Sequence, residues 1–164
     1  MVEGSCLCGG IKYEIDFEEY IIVNCHCINC RKVTGAAHGT FIQIPGKHFR
    51  WLVGQELVST YESSPGNHRA FCRICGSKVP QSRDWKKQVT VPAGSLDGDP
   101  HVSLEVNIYA ASKAPWHSID DSIPSFPEEP TGIAAIRLML SILLKRRFRL
   151  LRQKWMGSVH SDSP

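Results

Sequence analysis

The sequence predicts a mainly β body followed by a basic amphipathic helix. Three observations carry this. Short β-branched or alternating runs recur about every 8–12 residues, Gly- and Pro-rich turn signals separate them, and apolar spacing changes to three or four residues beyond residue 130. At 164 residues, with 42% hydrophobic and 21% charged side chains, the chain is long enough to bury a real core.

Taken in order, strands are expected at Ile11–Ile15, Tyr20–Asn24, Thr40–Ile44, Phe49–Val53, Leu57–Glu62, Gln88–Val91 and Leu104–Tyr109. Turns between them are marked by Cys8-Gly9-Gly10, Pro45-Gly46, Ser63-Ser64-Pro65-Gly66-Asn67 and Asp97-Gly98-Asp99-Pro100. A short helical turn fits Ile28–Val33. Between Ser112 and Thr131 stand Pro115, Pro124, Pro127 and Pro130. That density makes the segment an extended strap, because each ring removes a backbone donor and restricts the residue before it.

The tail has a different pattern. Ile136, Leu140, Leu144, Phe148, Leu151 and Trp155 recur at i+3 or i+4 and would line one face of a helix, with Arg137, Lys145, Arg149 and Arg152 in a neighbouring lane. Gly132 is expected just before this helix and Gly157 just after it. Residues 131–164 carry seven Lys and Arg against the single acid Asp162, whereas residues 1–130 carry 12 basic and 15 acidic residues. The body is mildly acidic and the tail strongly basic, which suggests separate roles. Two regions follow: 3–130 as a metal-binding domain and 131–164 as a basic helical tail.

The N-terminus has neither a basic n-region nor an apolar h-region, so no export signal is expected. The apolar stretch from Ile133 to Leu144 is 12 residues long and interrupted by Arg137 and Ser141, too short for a bilayer. A cytoplasmic location is expected, with the nucleus as an alternative, and there thiols stay reduced. Seven cysteines in such a compartment read first as metal ligands.

They fall into three groups: Cys6-Leu7-Cys8, Cys25-His26-Cys27 with Cys30, and Cys72-Arg73-Ile74-Cys75. One close pair is a weak signal. Three clusters that use every cysteine are a strong one. Cys6, Cys8, Cys72 and Cys75 together make a closed four-thiolate zinc site; Cys25, Cys27 and Cys30 make a three-thiolate site with one position open. Closed sites are structural and open ones catalytic. Spacing alone also allows Cys25 and Cys27 to join Cys72 and Cys75, and allows His26 or His38 to close the second site. An odd count of cysteines argues against a disulfide framework. No βαβ context supports a redox role for the Cys72–Cys75 pair.

Together with their neighbours, Gly4-Ser5-Cys6-Leu7-Cys8-Gly9, Cys25-His26-Cys27-Ile28-Asn29-Cys30-Arg31 and Phe71-Cys72-Arg73-Ile74-Cys75-Gly76-Ser77 resemble the glutathione-dependent formaldehyde-activating enzyme family, which includes the centromere protein V branch. Val91-Pro92-Ala93-Gly94-Ser95-Leu96-Asp97, Ser112-Lys113-Ala114-Pro115-Trp116 and Ile123-Pro124-Ser125-Phe126 add to the likeness, which covers about residues 3–130. The resemblance implies an Mss4-like, zinc-stabilised β fold with two Zn²⁺ per chain, divided four plus three, and the Cys25/Cys27/Cys30 zinc at the active site. It implies a carbon–sulfur lyase that reversibly joins glutathione to formaldehyde. An open zinc suits this chemistry: it can take up a thiolate and polarise an aldehyde oxygen. Three thiolates leave the Zn²⁺ complex at net −1, which favours thiolate exchange over strong water activation. Arg31 could pair with a glutathione carboxylate, or serve as an exposed structural arginine.

A non-enzymatic reading competes: a zinc-stabilised binding module whose tail meets an anionic membrane or an acidic partner. Basic charge beside an apolar face favours a membrane, and no motif for specific nucleic-acid recognition accompanies it.

Overall fold

The computed structural model describes residues 1–16, 20–83, 87–99 and 102–144. The chain separates into two compact units, Met1–Glu128 and Glu129–Pro164.

The first unit is mainly β. Its strands are β1 (Val2–Ser5), β2 (Lys12–Ile15), β3 (Ile21–Cys25), β4 (Gly39–Pro45), β5 (Phe49–Val53), β6 (Val58–Ser64), β7 (Asn67–Cys72), β8 (Gln81–Arg83), β9 (Gln88–Pro92) and β10 (Val106–Ile108). They form a three-stranded sheet ordered β1-β2-β5, a five-stranded sheet ordered β10-β3-β4-β9-β8, and the β6-β7 hairpin. Every pairing is antiparallel except β10 with β3. All seven expected strand regions carry a strand; β1, β7 and β8 are additional.

Apolar burial explains the arrangement. Tyr13 and Ile15 of β2, Ile22 of β3, Ile42 and Ile44 of β4, and Val89 and Val91 of β9 form one core cluster. Phe49 and Trp51 of β5 close over it, their rings perpendicular with centroids 4.9 Å apart, a favourable edge-to-face geometry. β3 lies inside its sheet, and Ile22 through Cys25 are all buried. A second cluster joins Cys6, Ile11, Ala70, Cys72 and Val79. Cysteine thus lies within the apolar packing before any metal is considered.

The proline-rich strap forms no helix between Pro115 and Pro130, as expected, but hydrogen-bonded turns at 114–117 and 120–123 interrupt its extended course. Its residues bond to β10: Asn107 N–H donates to Pro124 O at 2.8 Å, and Phe126 N–H donates to Asn107 O at 2.9 Å. The strap therefore covers an edge that would otherwise expose unpaired backbone groups.

In the second unit, the described residues form a helix, α2, at 132–144. It begins at Gly132 itself. Ile136, Leu140 and Leu144, one turn apart, are all exposed. Phe148, Leu151, Trp155, Gly157 and the basic residues from Lys145 onward lie outside the described residues.

Candidate metal centre

Two tight turns create the four-sulfur cluster. After β1, Gly9 N–H donates to Cys6 O at 2.8 Å, and Ile11 N–H donates to Cys6 Sγ at 3.3 Å. After β7, Gly76 N–H donates to Cys72 O at 2.8 Å, and Cys72 N–H donates to Ser77 O at 2.9 Å. The turns meet through Leu7 N–H, which donates to Ser77 Oγ at 3.1 Å. The four sulfurs of Cys6, Cys8, Cys72 and Cys75 all lie within 4.8 Å of one another. Cys6 to Cys8 is 3.5 Å and Cys8 to Cys72 is 3.9 Å. A zinc–thiolate tetrahedron with 2.3 Å bonds has sulfur–sulfur edges of about 3.8 Å. The donor set therefore fits a closed tetrahedral ion with little movement.

The same hydrogen bonds set the acidities. Ser77 draws Cys75 down to about 5, through its hydroxyl first and then its backbone N–H. Burial works to raise Cys6, but the Ile11 N–H and the thiols of Cys8 and Cys72 leave it below the usual thiol value. Cys8 goes the other way, to about 11: the Gly10 backbone favours its thiolate, but the facing sulfurs of Cys6 and Cys75 outweigh it.

The three-sulfur cluster is built where β3 ends and a helix begins. This helix, α1 (Ile28–Thr34), has Cys27 as its N-cap and Gly35, at φ 66°, as its left-handed C-cap. Cys25 is the last residue of β3, paired with Gly39 and Ile108, and Cys30 lies in the first helical turn. Cys27 Sγ accepts from Cys30 N–H at 3.4 Å, the bond an N-cap oxygen would ordinarily make. The thiols of Cys25 and Cys30, with the N–H groups of Cys30 and Asn29, hold Cys27 as a thiolate, its pKa near 2. Cys25 is pushed well up by facing Cys27 and Cys30. Among the described residues, no fourth Cys, His, Asp or Glu joins these three sulfurs.

Two cations, Arg69 and Lys78, interact electrostatically with Cys30 of this cluster. Burial, followed by the charge of Arg69, lowers the Lys78 pKa, while the neighbouring Cys30 opposes the shift. Lys78 Nζ and Arg31 Nε are both buried without a hydrogen-bond partner; Lys78 Nζ lies 5.5 Å from the centroid of the Phe41 ring. A cavity of about 540 Å³ is lined by Lys78, Cys6, Leu7 and Asp97, but by none of the three sulfurs.

The histidines do not close the three-sulfur cluster. His26 and His38 gather instead with His117. The ring centroids of this trio are 5.1, 5.1 and 5.6 Å apart. Burial lowers the pKa of both His26 and His38. No local motif marks this trio, because its members come from three separate segments.

A mainly β domain with two groups of converging thiols, each able to hold a metal ion, defines a class of metal-binding protein. The family can be named. The profile of the glutathione-dependent formaldehyde-activating enzyme family matches residues 1–112, more than half the chain, and this chain belongs to that family. A crystal structure of a Rhodobacter sphaeroides protein is similar at a TM-score of 0.49 and 24% identity, covering 60% of this chain and 91% of its own. No curated protein matches the chain.

Proposed function

We propose that this chain is a zinc-dependent carbon–sulfur lyase acting on a thiol–aldehyde adduct such as S-(hydroxymethyl)glutathione. Residues 3–130 form an Mss4-like catalytic domain that holds two zinc ions. Cys6, Cys8, Cys72 and Cys75 hold the structural ion, and Cys25, Cys27 and Cys30 the catalytic one. The observation that carries this reading is the unequal completeness of the clusters: four sulfurs in one, three in the other. Family membership supplies the substrate class.

In the reaction, a bond between the thiol sulfur and the aldehyde carbon forms or breaks. The thiol proton moves to the new hydroxyl, or back again. A zinc ion held by the three cysteines would supply a position for the substrate thiolate and Lewis acidity toward the aldehyde oxygen. The chain itself keeps Cys27 deprotonated, ready to ligate, and holds Cys25 and Cys30 beside it. Arg31 and Lys78 are suited to the carboxylates of glutathione, because Arg31 Nε and Lys78 Nζ are buried without a hydrogen-bond partner and an anionic ligand would supply one. Seven free cysteines suit a reducing compartment such as the cytoplasm. Among the described residues, no helix is long and apolar enough to cross a membrane.

The tail has its own proposed role. Exposed Ile133, Ile136, Leu140, Leu143 and Leu144 on α2, followed by the basic run in the sequence, suit adsorption to an anionic membrane surface.

The test is metal counting alongside turnover of S-(hydroxymethyl)glutathione. The purified protein should hold two zinc ions, one lost first to a mild chelator together with activity while the fold persists. Loss of both in one unfolding step, or no turnover with both bound, would overturn the reading.

A further inference from the structure

We propose that His26, His38 and His117 form a third metal site, separate from both cysteine clusters, that takes a divalent transition-metal ion through three imidazole nitrogens. One ring nitrogen from each lies within 4.8 Å of one from each of the others. A tetrahedral zinc site with 2.0–2.1 Å bonds has nitrogen–nitrogen edges of about 3.3 Å, so small ring rotations close the gap. Three neutral imidazoles suit Zn²⁺, Co²⁺ or Ni²⁺ better than hard cations, which prefer oxygen.

The hydrogen bonding prepares a ligand. His26 is fully buried, and its Nε2 lies 3.2 Å from Asn107 Oδ1. The Asn107 amide cannot turn over freely, because its Nδ2 donates to Ser125 Oγ at 3.2 Å and that hydroxyl already donates its own proton to Ile123 O at 3.1 Å. Oδ1 therefore faces His26 and accepts, and Nε2 must carry the proton. The nitrogen left to His26 is Nδ1, which is buried with no hydrogen-bond partner. The Ala37 carbonyl pulls weakly on this imidazole without making a hydrogen bond to Nδ1. His38 Nδ1 is likewise buried and unpartnered. Two orphaned ring nitrogens at one spot are costly unless something occupies them. A metal-bound histidine usually donates its other ring N–H to an outer acceptor that fixes the tautomer, and Asn107 Oδ1 is such an acceptor.

The placement gives such an ion a role. His26 lies between two cysteines of the three-sulfur cluster, His38 directly precedes β4, and His117 follows the 3₁₀ turn Ala110–Ser112. His117 also lies beyond the residues matched by the family profile. An ion here would tie the strap to the loop that carries the three-sulfur site. Three neutral ligands bind more weakly than thiolates, so the ion should be exchangeable.

Titration of the zinc-loaded full chain with Co²⁺ tests the site. One added Co²⁺ per chain should bind in the micromolar range with visible d–d bands and no new near-ultraviolet thiolate charge-transfer band. His38→Asn and His117→Asn should abolish that binding while both thiolate-held zinc ions remain. Asn107→Ala, acting through His26, should weaken it by about 10–100-fold. The wild-type chain supplies a check that needs no variant: added Zn²⁺ should shift the ring ¹⁵N signals of all three histidines. Unmoved ring signals would overturn the proposal, as would a thiolate band on the added Co²⁺ or equal binding by the wild type and both histidine variants. None of these results depends on lyase turnover.

Discussion

Cys27 and Cys72 are both proposed zinc ligands, yet their loss should cost different things. Cys72 is fully buried in an apolar cluster with Cys6, Ile11, Ala70 and Val79, and its sulfur faces one from a turn 64 residues earlier. Structural zinc contributes about 10–16 kcal/mol of apparent binding energy in small domains, as much as the whole stability of a typical domain, about 5–15 kcal/mol. Cys72→Ser should therefore leave the chain unfolded by circular dichroism. Cys27→Ser removes one ligand from a site whose three members lie within six residues, so the fold should persist. Its turnover should fall by more than the roughly 10–100-fold that loss of an outer-shell partner costs. The reverse order of damage would exchange the structural and catalytic roles. Tyr13 gives a second prediction at this scale. It is fully buried; its hydroxyl donates to Ser95 O at 3.1 Å and lies 2.6 Å from Ser95 Oγ. Burial pushes its pKa up from 10.0 to about 12. The folded value exceeds the unfolded one, so its contribution is intact below pH 10 and is lost as pH rises toward 12. Two pKa units correspond to roughly 3 kcal/mol. Urea midpoints should fall between about pH 9 and about pH 12 in the wild type, and much less in Tyr13→Phe.

The elements are joined by turns whose tolerance to change should differ sharply. Gly54, at φ 76°, opens the 3₁₀ turn Gln55–Leu57, which links β5 to β6. A Cβ there would collide with the Gly10 carbonyl, beside the Cys6–Cys8 turn. Gly66, at φ 73° in the β6-β7 hairpin, has nothing within 4 Å of its Cβ position. Both alanine variants bear left-handed strain of about 1–2 kcal/mol, but only Gly54→Ala adds an overpacking cost of about 1–3 kcal/mol. Thermal melts should show Gly54→Ala the lower, with its four-sulfur metal more readily chelated; equal melts would mean that the Gly10 turn yields. The same contrast shows how far the elements were legible. β3, β4 and β9 were visible because Ile22, Ile42, Ile44, Val89 and Val91 carry the β-branched signal of a buried sheet. β7, Asn-His-Arg-Ala-Phe-Cys, carries almost none and is a strand because β6 pairs with it. β1 contains Gly4, where a Cβ would press on Tyr13, a contact that only the folded chain reveals. The three cysteine clusters were legible because the members of each are neighbours in sequence. Spacing left open which clusters converge, and the fold sets Cys6 and Cys8 against Cys72 and Cys75. The histidine trio was not legible, since each member needs the sheet register and the strap to reach the others.

At the scale of the whole molecule, the two compact units divide the proposed labour. All seven cysteines and the three clustered histidines lie in Met1–Glu128, and α2 lies in Glu129–Pro164. Truncation after Pro130 should therefore leave metal content and lyase turnover intact. It removes six net positive charges, so the remaining body carries −3 in place of +3. Adsorption to vesicles rich in anionic lipid would then lose both its apolar and its electrostatic attraction. Each Lys or Arg near such a surface is worth about 1 kcal/mol, and the attraction falls off within a Debye length of about 10 Å at 0.1 M salt. Co-sedimentation of the full chain with anionic vesicles should thus weaken steeply as salt rises, and should be negligible for the truncated chain at any salt. An insoluble or metal-free truncation would show instead that α2 contributes to the core, and the membrane role would fall with that result. Vesicle binding that survives truncation would place the membrane-facing surface on the first unit.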